Sequence, residues 1–176
     1  MPLAQPRLGP VNGPTILAIT SEGSERQGFA YGWQTPATGA PVANLAYMFP
    51  FSVSDPYPVV NGFVVNGTAV AGNVDIGIYD TAGNRLVSSG ATAQSGTSTI
   101  QLLPMSYTLA PGLYYCAFSA SSGSANFLRW PASSVWFRIA GHFQQSTAHP
   151  LPATATFAAA AQNDIPIFGL TRLTVV

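Results

Sequence analysis

A chain of 176 residues is long enough for one domain with a substantial core, but charged residues make up only 7% of it, against roughly 25% in a typical soluble domain. All six basic residues are arginine and the net charge is zero, which argues against nucleic acid as a partner, since phosphate neutralisation needs a basic surface. Few surface charges also leave little repulsion between copies, so either the abundant Ser, Thr, Asn and Gln solvate the surface or a partner or second copy covers part of it.

Residues 1–14 carry Pro2, Pro6, Pro10 and Pro14. This spacing forbids a helix interior and removes four backbone donors, so an extended, partly polyproline-like arm is expected, able to dock on a neighbour. Residues 15–176 are expected to form a single domain. Thr15–Thr20 reads as a short strand, 21–28 as a polar loop and Phe29–Trp33 as a weak strand. Asn44–Val53 is strongly apolar, and Pro50 implies that this strand is an edge, is bulged or is broken there. Val59–Asn66 is the next strand. Asn66-Gly67-Thr68 fits a turn and is also an N-x-[ST] sequon, of which the turn is the preferred reading.

Asn73–Ser89 is the clearest element. Val74, Ile76 and Ile78 alternate with Asp75, Gly77 and Tyr79, which predicts a strand with one apolar face. Asp80-Thr81-Ala82-Gly83-Asn84 supplies turn chemistry, and Arg85–Ser88 returns as the partner strand. Residues 90–99 read as a loop. Ile100–Leu103 and Tyr107–Leu109 read as strand pieces around Pro104. Leu113–Ser119 is a second strong strand, followed by strands at Asn126–Trp130 and Val135–Ile139. Ala153–Ala161 suits a helix by propensity or a strand through Thr154 and Thr156; Ile165–Leu170 and Leu173–Val176 are closing strands. About eight to ten short strands with turns every ~8–12 residues predict an all-β fold, an antiparallel β-sandwich of jelly-roll type.

Catalytic and metal signatures are absent from the sequence. Cys116 lies in an apolar run and reads as a core residue rather than a nucleophile. His142 and His149 are seven residues apart in one loop region, too few ligands for zinc. No P-loop, GxGxxG or GxSxG pattern occurs. Asp75 and Asp80 are a formal candidate pair for glycoside hydrolysis or calcium, but Asp80 suits the start of the turn and Asp75 a solvent-facing strand position. No cofactor is expected. Trp130, Trp136 and Phe137 are the candidate interface or ligand aromatics, able to anchor a protein contact or to stack on a sugar. No signal peptide and no spanning segment is evident, so synthesis in the cytoplasm and no membrane association are expected.

Tyr47-Met48-Phe49-Pro50-Phe51, then Gly72–Asp80, Ala110–Tyr115 and Leu151–Ala155 together resemble small all-β structural proteins of tailed bacteriophage virions, over roughly residues 43–170. The resemblance implies a non-enzymatic virion protein, foremost a capsid decoration (cement) protein that binds the major capsid protein or another virion protein; the low charge, the absence of lysine and the apolar-rich sequence add a homo-oligomer, with a trimer as the first expectation. The stretches at 73–80 and 109–115 are also similar to carbohydrate-binding jelly rolls, which implies the alternative: a tail-fibre module recognising host glycans. A small hydrolase is the third class.

Overall fold

The hairpin at 73–88 sets the frame of the structure, a computed structural model that describes residues 16–19, 37–131, 138 and 141–172. Asn73–Tyr79 (β5) and Arg85–Ser88 (β6) pair antiparallel, Ile78 opposite Val87. Asp80 organises the turn between them: its carboxylate accepts from the Ala82 and Asn84 amides at 2.9 and 2.8 Å and from Asn84 Nδ2 at 3.0 Å. Gly83 follows at φ +87°, a left-handed conformation that glycine adopts without steric cost.

The fold is all-β, with antiparallel sheets packed as a sandwich. The remaining strands are β1 (Ile16–Ile19), β2 (Ala37–Gly39), β3 (Ala46–Val53), β4 (Tyr57–Val65), β7 (Thr92–Ala93), β8 (Ile100–Leu109), β9 (Gly112–Ala120), β10 (Phe127–Pro131), β11 (Phe143–Gln145), β12 (Ala158–Ala159), β13 (Asp164–Pro166) and β14 (Phe168–Thr171). The largest sheet runs β12-β11-β3-β9-β5-β6, with β7 also on β5. A second runs β1-β14-β4-β8, and a small one β13-β10-β2. In the small sheet Arg129 bridges to Asp164 at 2.8 Å, both side chains partly exposed, so the pair contributes at most about 1 kcal/mol.

Two prolines that looked like strand breakers are accommodated. Pro50 lies within β3, which is internal and unbroken on its β9 side, where Pro50 faces Tyr115. On the other side β11 ends at Phe143, opposite Met48, so the missing donor falls beyond the neighbouring strand. Pro104 sits inside one continuous β8, which is the edge of its sheet.

Alternation sorts the large sheet's residues onto two faces. Tyr47, Phe49 and Phe51 of β3, Val74, Ile76 and Ile78 of β5, and Cys116 and Phe118 of β9 point inward. They meet Val59 and Val64 of β4, Leu103 and Leu109 of β8, and Phe168 and Leu170 of β14. Phe118 is fully buried at the centre, with ring centroids of Phe127 at 5.1 Å, Phe168 at 5.3 Å and Tyr47 at 6.3 Å. Cys116 lies in this core as expected, and burial pushes its thiol pKa well up.

One end of the sandwich is held by neutral amides. Asn66 Nδ2 donates to Ser95 O (2.7 Å) and Gln101 Oε1 (3.1 Å), and Gln94 Nε2 donates to Asn66 Oδ1 (2.9 Å) and Asn126 O (3.2 Å). Gln94 Oε1 accepts from the Ala71 amide at 2.8 Å, so a single side chain links three loops. Gln94→Leu strands the Ala71 donor and the Asn66 acceptor in a buried setting; we expect a loss of about 2–4 kcal/mol in urea unfolding, independent of pH. A loss below about 1 kcal/mol would mean that water replaces the amide. Asn66 forms a bridge with Phe127 and the chain bends only at Thr68, so the expected turn is displaced. Its 2% exposure and committed amide nitrogen also leave no room for a glycan.

Several expectations lie outside the described residues: the arm at 1–14 with Pro2, Pro6, Pro10 and Pro14, the strands at 29–33 and 135–139, and the one at 173–176. The expected Ala153–Ala161 element is neither a helix nor one strand. Ala158–Ala159 alone pairs, with β11, and Thr154 bridges Asn84. Burial of Leu151 and Ala155 in an extended path overrides alanine's helical preference.

Candidate functional site

The outward residues of the large sheet form three cross-strand rows. Ala46, Ser119 and Asp75 make one, Met48, Ala117 and Gly77 the next, and Pro50, Tyr115 and Tyr79 the third. Beyond them Ser52 faces Leu113. The first two rows are covered by a strap, residues 147–157, which has no strand of its own. Ala148, Leu151 and Ala155 pack with Met48, Tyr79 and Ala117 in a second apolar cluster. Gly77 exists for this seat: a Cβ there would lie 2.9 Å from Leu151 Cδ1 and 3.1 Å from Val87 O.

Polar contacts fix the strap along its length. The Ala148 amide donates to Asn44 O at 2.8 Å and the Ala155 amide to Gly83 O at 2.7 Å. Tyr79 Oη donates to Pro152 O at 2.7 Å, the Arg85 amide to Ala153 O at 2.8 Å, and the Arg85 guanidinium to Leu151 O. The Leu151 amide donates to Asp75 Oδ2 at 3.0 Å.

Asp75 therefore overturns the sequence expectation of a solvent-facing carboxylate: it is fully buried, and Ser89 Oγ also donates to it at 3.2 Å. Alternation assigned the face correctly, but the strap covers that face. Asp75 and Asp80 do not form a carboxylate pair. Five residues of strand separate them by about 17 Å, against the ~5–9.5 Å of glycosidase pairs.

The two histidines also part company. His142 is 3% exposed and sits 6.1 Å, ring to ring, from Phe49 of the inner core; burial lowers its pKa to about 4. His149 lies on the opposite face, its Nδ1 3.0 Å from Ser119 Oγ. Burial lowers its pKa, while Asp75 and the Ser119 backbone work in the other direction. Ser119, His149 and Asp75 thus converge, but Ser119 is 0% exposed, so its hydroxyl has no route to a substrate. Among the described residues no group of three or more His, Cys, Asp or Glu side chains is placed to hold a metal.

Past the strap, the outer face stays partly open and is aromatic. Tyr115, Phe143 and Phe157, all part-buried, form a triangle with centroid separations of 4.5, 5.4 and 5.7 Å. Half-buried Pro50 flanks Tyr115, and Leu113, 49% exposed, continues the same face of β9. None of these five side chains is charged. The ring planes are inclined by 39°, 50° and 75°, so they make a knobbed apolar surface rather than a flat platform.

Of the aromatics singled out from the sequence, Trp130 lies in β10, opposite Ile165 in the small sheet, whereas the patch is built on the large one. Trp136 and Phe137 lie outside the described residues. Tyr115 was legible through β9's alternation, which places it beside Leu113 on the outer face. Phe143 and Phe157 stand in short or irregular segments, and only the pairing of β11 with β3 brings them to Tyr115. Comparison with protein-family models, with curated proteins and with solved structures found no match in any of the three.

Proposed function

We propose that the protein is a non-enzymatic structural component of a virion, a capsid decoration protein that binds neighbouring capsid subunits and stabilises them. The observation that carries this reading is the uncharged patch of Leu113, Tyr115, Pro50 and Phe143 on the outer sheet face, with Phe157 of the strap packed beside them. Apolar and aromatic side chains fixed by a scaffold bury area at low entropic cost, which suits a permanent protein contact. The chain's 7% charged content supports the same reading, since a surface so poor in charge gains little from staying solvated. In this reading the domain is a jelly roll, the Pro-rich arm at 1–14 lies across a neighbouring subunit, and the protein assembles as a trimer.

Leu113→Asp tests the patch. It places a charge on an exposed position, so unfolding should change by no more than about 0.5 kcal/mol. Association with the particle, or trimer formation seen by light scattering at micromolar concentration, should weaken about thirtyfold or more, the effect of a hot-spot residue. Unchanged assembly would remove the patch from the interface. The second reading, a glycan-binding tail-fibre module, draws on the presence of aromatics on an open sheet face. The mutual tilt of the rings weighs against it, because sugar stacking uses a flat ring face. Specific retention of a host glycan by the unmodified protein would reverse this ranking.

A further inference from the structure

We propose that the strap over residues 75–79 is an acid-sensitive fastening: charging His149 releases residues 148–157 from β5 and β9. The argument rests on how the ring is seated. Nδ1 has Ser119 Oγ at 3.0 Å, whereas Nε2 is shielded from solvent and has no hydrogen-bond partner. A neutral ring tolerates this, because one nitrogen is then only an unfilled acceptor. An imidazolium must place an N–H donor at both nitrogens, and here one of them has no acceptor. The charged ring therefore gains by swinging out to water.

The surroundings do not reverse this balance. From β5, the Asp75 carboxylate favours the imidazolium, but it is already engaged by the Leu151 amide and Ser89 Oγ. From β9 the ring meets the neutral Ser119 hydroxyl, and the Ser119 backbone also favours the charged form. The other polar groups holding the strap are the Tyr79 phenol of β5, which burial keeps neutral, and the Arg85 guanidinium of β6, which carries only donors, so neither relieves the orphaned N–H. His149 is two residues from Leu151, so moving the ring pulls directly on the Leu151–Asp75 bond and the apolar seat on Gly77. Release uncovers Met48 and Ala117, both now buried.

Amide hydrogen exchange of the full chain, read residue by residue by NMR as protection factors, tests this. Between pH 7.5 and 5, protection at Leu151 and Ala155 should fall about tenfold or more beyond any fall at Phe118 in β9, whose core amide follows the stability of the whole domain. His149→Gln, neutral at every pH, should show no such fall. Equal falls in the variant, or none in the unmodified protein, would overturn the proposal. Should the variant not fold, the unmodified protein still decides: the His149 ring titration and the loss of strap protection must share one midpoint, and distinct midpoints refute the fastening. The outcome is independent of what the aromatic patch binds.

Discussion

Replacing Phe118 with alanine is expected to lower the free energy of unfolding by about 3–5 kcal/mol. Phe118 is fully buried and is the ring on which Tyr47, Phe127 and Phe168 converge, so three strands lose a shared contact at once. The loss combines the transfer energy of the ring with a cavity that a sandwich of paired strands cannot close. A domain of this kind has roughly 5–15 kcal/mol in total, so the variant should stand near its folding threshold. Urea denaturation should show a lower midpoint with an unchanged slope. A loss below about 1 kcal/mol would mean that the two sheets slide together to fill the gap.

The second large effect is an acid loss of stability. His142 titrates at its ordinary 6.5 in the unfolded chain and at about 4 in the folded protein, because burial beside Phe49 disfavours its charged form. A depressed folded pKa means that the unfolded state takes up the proton first. The stability contribution is therefore complete above pH 6.5, declines as the pH falls below it, and is fully lost once the pH is below 4. The size is about 3 kcal/mol. His149, also depressed, acts in the same direction. Urea unfolding at pH 7.5 and pH 3.5 should reveal the drop, and His142→Gln should shrink it by most of that amount. An identical pH response in the variant would assign the loss to the carboxylates instead.

Much of the fold was legible because the signal is local. The alternation of Val74, Ile76 and Ile78 with the Asp80–Asn84 turn predicts β5 and β6, and the run from Leu113 predicts β9. What alternation cannot say is what lies on the second face. Asp75 has the polar identity of a solvent position, and only a segment more than seventy residues away, at Leu151, makes it an interior one. The strap itself has no period to read, since its residues are fixed one by one by partners on β5, β6 and β9. For the same reason His142 and His149, neighbours in sequence, serve opposite faces. The aromatic patch was half visible: Tyr115 through its strand, Phe143 and Phe157 only through tertiary pairing. Of the aromatics chosen for their density, Trp130 stands in the small sheet, and Trp136 and Phe137 lie outside the described residues.

The place of β14 has a consequence for how the chain is made. This strand, Phe168–Thr171, lies between β1 and β4 in its sheet, and it delivers Phe168 and Leu170 to the core. About 100 residues separate it from β4, so at ~5–20 residues per second a ribosome needs roughly 5–20 s to supply the neighbour that β4 is waiting for. Until then β4 can pair only with β8, and the inner faces of Phe49 and Phe118 lack their lid. The nascent protein thus passes through a stage with an unsatisfied strand edge beside bare aromatic rings, the form most open to wrong pairing with another copy.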